Sequence, residues 1–464
     1  MESLGKEMLD KLVYNKKSVY EEASSEKIKD IYNYAREYMN YLDNSKTERE
    51  AVDFTAEILK KNGFSEYRLG DRISVGDKKY LNQLGKSIVA FKIGKEDIEC
   101  DGIRIIAAHL DSPRIDVKQV PMYEDSGMGF LKTHYYGGIK KYQWTAIPLA
   151  LHGVIVRADG ETVKVNIGED NDDPIFYIND LLPHLAANQV KEPLGSAIPA
   201  ESLNILIGGL PYNDKDVSDK IKLTALSLLN EKYGITEEDF LSAELSLVPA
   251  YKARDIGFDR ALIGAYGHDD KVCSYPALTA LIDNADTKHT VMVVLADKEE
   301  IGSDGVSGIH SSYLLDIINE ICDNLGKKSS VVRSKSKCLS ADVTAAYDPN
   351  FADVYEKRNS ALISFGTALC KYTGSRGKSG ASDASAEFVG FVRRILSENS
   401  VIWQTAELGK VDAGGGGTVA KYIANLNIET VDIGVPVISM HAPYEVVSKA
   451  DVYSTYEAFS AFFK

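Results

Sequence analysis

Three short, strongly apolar runs constrain this chain most: Ile103 to Ala108, Thr290 to Leu295, and Val431 to Ser439. A strand with one wet face alternates apolar and polar residues, whereas a run without that alternation has both faces covered. Helical spacing surrounds these runs. Between Ser25 and Lys61 the positions Ile28, Ile31, Tyr32, Ala35, Ala51, Phe54 and Ile58 predict two helices ending at Asn62-Gly63, and further helices are expected over Tyr275 to Leu281 and Ser307 to Ile321. Buried strands alternating with helices predict an α/β fold, a mostly parallel sheet flanked by helices.

A chain of 464 residues exceeds what one hydrophobic core usually serves. From about Val120 to Val248 the texture changes to short strand-like pieces with turn signals, such as Gly153 to Val156 and Thr162 to Ile167, followed by a stretch rich in Asp and Asn. We read 120–248 as an inserted β-rich domain and 1–119 with 249–464 as a discontinuous catalytic domain.

The net charge of -15, from 53 Lys+Arg against 68 Asp+Glu, disfavours nucleic acid, which basic patches recognise through its phosphates. Met1 to Lys17 alternates charged and apolar residues like an amphipathic helix and lacks a signal peptide's apolar core, and no run approaches the roughly 20 apolar residues of a membrane span. A cytoplasmic protein is expected. The five cysteines are scattered, without a CxxC pair. Any metal must therefore be held by imidazole and carboxylate, which suits zinc, manganese or cobalt.

Five motifs carry the candidate chemistry, four of them at the ends of expected strands, where α/β sheets place their sites. His109-Leu110-Asp111 offers an imidazole with an aspartate to accept its second N–H. His268-Asp269-Asp270-Lys271 precedes a helix, where a carboxylate is often only a cap. Glu299-Glu300 follows a buried strand, and adjacent side chains diverge, so one can bind metal while the other addresses a water. Gly302 then permits a tight turn. Asp342 and His441 complete the series. Singly each has a plainer reading as a cap, turn or core residue. Together they supply five ligands and one spare base. With one carboxylate shared, two metals each receive three protein groups, as a two-metal hydrolytic site requires.

The order of these motifs and the wording around them resemble the aspartyl aminopeptidase and vacuolar aminopeptidase I family of dinuclear zinc exopeptidases, almost end to end. Ala108-His109-Leu110-Asp111-Ser112-Pro113 and Tyr136-Gly137-Gly138 are the most specific segments. The resemblance implies two divalent ions, zinc by preference, with Asp270, third in His268-Asp269-Asp270, bridging both. His109 and Asp342 would complete one site, and Glu300 and His441 the other. It makes Glu299 the general base and Asp111 the partner of His109. His184, which closes Phe176 to Leu185, matches a histidine that reaches a neighbouring subunit's site, and Lys371 matches a lysine able to face an acidic side chain. Gly414 to Gly417 lacks the GxxxxGK[ST] phosphate pattern and, in the resemblance, lies beside the substrate, with Gly416 as a contact.

The implied function is removal of N-terminal residues from short peptides by a homo-oligomer, a dodecamer built from dimers joined through the inserted domain. Two rivals remain at this stage: a dinuclear deacylase or carboxypeptidase, and a non-catalytic assembly protein that has kept the fold.

Overall fold

The computed structural model describes residues 4–285 and 288–464. Its main sheet has nine strands, in the spatial order Ser65–Glu66, Lys78–Gln83, Ser87–Lys92, Thr290–Ala296, Ile103–His109, Lys337–Ala341, Glu429–Gly434, Thr367–Cys370 and Trp403–Thr405. The four central strands, Thr290–Ala296 through Glu429–Gly434, run parallel. Their flanking partners Ser87–Lys92 and Thr367–Cys370 join antiparallel, so the sheet is mixed with a parallel centre.

The apolar runs serve two cores at once. Ile106 and Ala108 face one cluster and Ile103, Ile105 and Ala107 the other; Val291, Val293 and Leu295 likewise oppose Met292, Val294 and Ala296. Period-two geometry sends successive side chains to opposite faces, and helices cover both. The helices Ser25–Asp43, Glu48–Lys61, His268–Asp283 and Lys449–Phe463 contribute buried residues to the first face, Tyr313–Leu325 to the second. Each fully buried Val or Ile contributes roughly 1.5–3 kcal/mol. Helix Ser25–Asp43 starts at Ser24, whose side chain accepts from Lys27 N–H, and Glu48–Lys61 at a reciprocal Thr47–Glu50 capping box.

The strands Thr162–Ile167, Leu149–Val156, Ala243–Pro249, Arg114–Asp125, Met128–Tyr136, Ile205–Gly208 and Tyr177–Ile178 form, in that order, a second, wholly antiparallel sheet with its own core. Its strands fall between residues 114 and 249. A third, five-stranded sheet runs Arg254–Ile256, Leu262–Ala265, Glu445–Ser448, Pro436–Ile438, Thr344–Ala345.

Three local expectations change. The first helix covers Leu4–Leu12 rather than reaching Lys17, and Met1 to Ser3 lie outside the described residues. The helix expected from Ser307 begins at Tyr313: Ser307 instead donates to Asp297 Oδ2 at 2.6 Å, holding a turn rich in glycine. The run Val431 to Ser439 is two strands, broken after Gly434, where an added Cβ would stand 1.7 Å from the carbonyl oxygen of Asp342. Only glycine permits that approach. Among the described residues no helix is long and apolar enough to cross a membrane.

Candidate metal centre

Parallel pairing brings the strand ends to one edge: Ala296 is the partner of His109, and Ala341, the last residue before Asp342, that of Ile433. The small third sheet supplies the rest. Its strand Leu262–Ala265 leads into Asp269, Thr344–Ala345 follows Asp342, and Pro436–Ile438 and Glu445–Ser448 flank His441. His441 and Lys298 both have left-handed backbones, φ 64° and 69°. Non-glycine residues hold such angles only where surrounding contacts impose them, as sites often do.

Both imidazoles have their Nδ1 engaged. His109 Nδ1 lies 3.0 Å from the carbonyl oxygen of Asp111, and His441 Nδ1 2.8 Å from that of Gly138. An Nδ1–H donated to a carbonyl leaves the Nε2 lone pair for a cation. The two Nε2 atoms flank one carboxylate: Asp269 Oδ1 is 3.1 Å from His109 and Oδ2 3.2 Å from His441. Asp342 Oδ1 and Glu299 Oε2 lie 3.8 and 3.9 Å from His109 Nε2, and Glu300 Oε1 3.5 Å from His441 Nε2.

The two aspartates of the pair stand differently about these imidazoles. Asp269 and Asp270 have non-helical backbone angles ahead of the helix proper, so neither is a simple cap. Asp269 lies between the imidazoles, whereas Asp270 Oδ2 accepts the backbone N–H of His109 at 3.3 Å. Atoms of His109, Asp270 and Asp342, and of His109, Asp269 and Glu300, are each close enough to share an ion. Of the two, Asp269 alone has each oxygen beside a different imidazole among the described residues.

Asp111 faces both His109 and the glutamate pair. Its carboxylate is 3.4 Å from His109 Nδ1, but accepts the Tyr136 hydroxyl at 2.9 Å and the backbone N–H groups of Glu299 and Glu300 at 3.1 and 3.2 Å. It thereby fixes the glutamate pair. Glu445 acts similarly on the other side, accepting from Asp269 N–H at 3.1 Å and His441 N–H at 2.7 Å. Tyr136, Gly138 and Glu445 had no assigned role, although the Tyr136-Gly137-Gly138 and His441 to Glu445 segments contained the signal. His268 is no ligand: Tyr38 and the Ile263 carbonyl hold its two nitrogens, and burial pushes its pKa down to about 3.

Burial, reinforced by Asp342, Asp111 and Asp269, pushes Glu299 up to about 8 despite His109. Burial also drives Glu300 and Asp270 well above the carboxylate range. Burial disfavours charge on His441, yet Asp269 and Glu300 raise it to about 10. Asp269 Oδ1, Asp270 Oδ1 and Glu300 Oε1 are buried without hydrogen-bond partners. Crowded carboxylates with orphaned oxygens and two imidazoles with free Nε2 atoms fit hard or borderline divalent cations.

The cluster opens onto a cleft of about 520 Å³, which Gly416 lines. Lys371 is not among the lining residues, and pairs with Asp383 at 3.0 Å. His184 sits on the exposed turn Pro183–Leu185, away from this cleft.

The family model described as Aminopeptidase I zinc metalloprotease (M18) matches residues 41–463. A probable M18 family aminopeptidase 1 from Clostridium acetobutylicum is 45% identical over 98% of this chain and 99% of its own length. The crystal structure of an M18-family aminopeptidase from Thermotoga maritima superposes with a TM-score of 0.93 at 40% identity, covering 97% of this chain and all of that one. The S. cerevisiae mApe1 dodecamer shares the fold at a TM-score of 0.75 and 23% identity, over 92% and 96% of the two chains. Because the bacterial relatives match nearly every residue at 40% identity or more, the chain belongs to the M18 family of metal-dependent aminopeptidases.

Proposed function

We propose that this aminopeptidase removes N-terminal residues from short peptides with two divalent ions, zinc by preference, sharing Asp269, and with Glu299 as the base. The position of Asp269 between His109 Nε2 and His441 Nε2 carries the reading. His109 and Asp342 then complete one site, and His441 and Glu300 the other. Asp270 moves from the bridging role to support of the His109 backbone.

Bound divalent cations would acidify a water and polarise the scissile carbonyl. Glu299 Oε2 takes the attacking water's proton and returns it to the departing amine. Asp111 holds the glutamate pair in register through its N–H groups, and Tyr136 anchors Asp111. Gly416 stands beside the substrate. The complete imidazole and carboxylate set favours catalysis over a purely structural role, and N-terminal selectivity separates this reading from a deacylase or carboxypeptidase.

Glu299→Gln is expected to keep metal content near wild type and lower turnover about 10²- to 10⁴-fold, since an amide cannot take the proton. Substantial residual hydrolysis would exclude Glu299 as base, and loss of metal would make it a ligand.

We further propose a cytoplasmic enzyme that assembles through 120–248 into a dodecamer, the assembly that the yeast relative forms. Exposed Leu182, Leu185, Val190 and Leu194 around His184 support a covered surface there. In that assembly His184 reaches a neighbour's cleft.

A further inference from the structure

The cleft has two unlike walls. Beside Asp342 and His441, and apart from buried Asp432, which accepts the Thr418 hydroxyl at 2.6 Å, the inner wall is neutral: Thr344, Cys370 and Ile433 are buried, Val343 and Met440 half-buried, and all lie at or near strand ends. The outer wall comes from the loops 371–383 and 407–417, which meet as a short antiparallel pair, Gly374 with Gly416 and Ser375 with Gly415. The pairing is close. A Cβ on Gly415 would stand 2.5 Å from the Gly374 carbonyl oxygen, and one on Gly414 2.0 Å from that of Leu408. This wall presents exposed Arg376 and Lys410 to the cleft.

Other cations in or near the cleft are partnered: Lys421 sits over the Tyr422 ring at 4.7 Å. Lys371 and Lys378 lie 3.0 and 3.3 Å from Asp383, and Lys378 also sits over the Tyr372 ring at 3.8 Å. Glu407, a carboxylate of this wall that lines the cleft, accepts the Tyr372 hydroxyl at 2.6 Å. The side chains of Arg376 and Lys410 have no hydrogen bond or ion pair among the described residues. In a protein of net charge -15, two unpaired cations therefore face the cleft that holds the carboxylate cluster. A short peptide brings one obligatory anion, its C-terminal carboxylate. In a tripeptide cut at the first bond that group lies about 7 Å beyond the scissile carbonyl, on the leaving side.

We propose that Arg376 and Lys410 form a carboxylate-reading site on the leaving side of the cleft. They select peptides whose negative charge, a C-terminal carboxylate or an acidic side chain, lies just past the cleaved bond. The neutral inner wall receives the N-terminal side chain. This inference rests on the aminopeptidase reading and adds its specificity.

The test compares kcat/KM for first-bond cleavage of Leu-Leu-Leu with a free carboxylate and of Leu-Leu-Leu-amide in wild type, R376A/K410A and R376E/K410E. Exposed ion pairs are modest, so the expected wild-type acid-to-amide ratio is about three- to tenfold. It should shrink with added salt, fall towards unity in the alanine pair and invert in the glutamate pair. R376K/K410R should retain it. A ratio unchanged by R376A/K410A overturns the proposal, as does a preference for Asp- over Leu-4-nitroanilide that these substitutions abolish, which would put the charge reading on the N-terminal side chain. A wild type that cuts Leu-4-nitroanilide without preferring acid over amide overturns this inference alone. One that cuts no N-terminal residue from any of these substrates overturns the aminopeptidase reading beneath it.

Discussion

Replacing Asp269 by asparagine tests the shared carboxylate directly. Its oxygens stand 3.1 Å from His109 Nε2 and 3.2 Å from His441 Nε2, so the substitution keeps the shape but turns one face into an N–H donor aimed where a cation belongs. Removing partners that only orient a metal ligand typically lowers affinity 10- to 100-fold. Loss of a direct, shared ligand is therefore expected to weaken both ions by at least about 100-fold, or about 2.7 kcal/mol each. Asp270→Asn keeps an oxygen for the 3.3 Å bond from His109 N–H and is expected to cost less than about tenfold. Metal-stripped protein would be titrated with zinc against a chromophoric chelator, with bound zinc counted by elemental analysis. Loss of both equivalents in Asp270→Asn but not Asp269→Asn refutes the register, and loss of only one in Asp269→Asn refutes the sharing.

Tyr136→Phe removes the hydroxyl that holds Asp111, a bond to a charged group worth about 1.5 kcal/mol, so kcat should fall about tenfold at unchanged zinc content; loss of zinc would refute a purely positioning role. Stability should also depend on the network where His152 Nδ1 lies 2.7 Å from Glu50 and Nε2 3.1 Å from Glu169, which Lys46 and Lys252 also hold. Burial opposes charge on Glu169, but His152 and the two lysines hold its pKa down to about 2, so its contribution is present above 4.5 and lost as pH falls towards 2. Burial likewise opposes charge on His152, yet Glu169 and Glu50 raise its pKa, so its contribution is present below 6.5 and fades as pH rises through the folded value. Glu169→Gln should cost about 3 kcal/mol and flatten the acid limb of a melting-temperature profile against pH; an unchanged limb would refute the assignment. Mixing inactive His184→Ala with inactive Glu299→Gln subunits should restore partial activity, and mixtures that stay inactive, or a fully active monomer of about 51 kDa by light scattering, would refute the shared site.

The parallel centre of the sheet was legible because strands buried on both faces must be apolar at every position, as Ile103 to Ala108 and Thr290 to Leu295 nearly are. The same runs marked where His109, Glu299 and Glu300 emerge, since the residue after a buried strand sits at the sheet's edge, whereas the strand Lys337–Ala341 that carries Asp342 showed no such run. Local sequence could not choose between Asp269 and Asp270. Their backbone angles and the two histidines flanking one of them depend on a third sheet that joins residues 262–265 to 436–448, a separation no local pattern encodes. Nor could it reveal that Gly434 must be glycine because Asp342 passes against it, or that Tyr136, Gly138 and Glu445 position the ligands. Periodicity and strand-end chemistry are written along the chain. Which carboxylate oxygen meets which imidazole is decided only when distant segments pack, because hydrogen-bond direction depends on tertiary geometry that residue order does not contain.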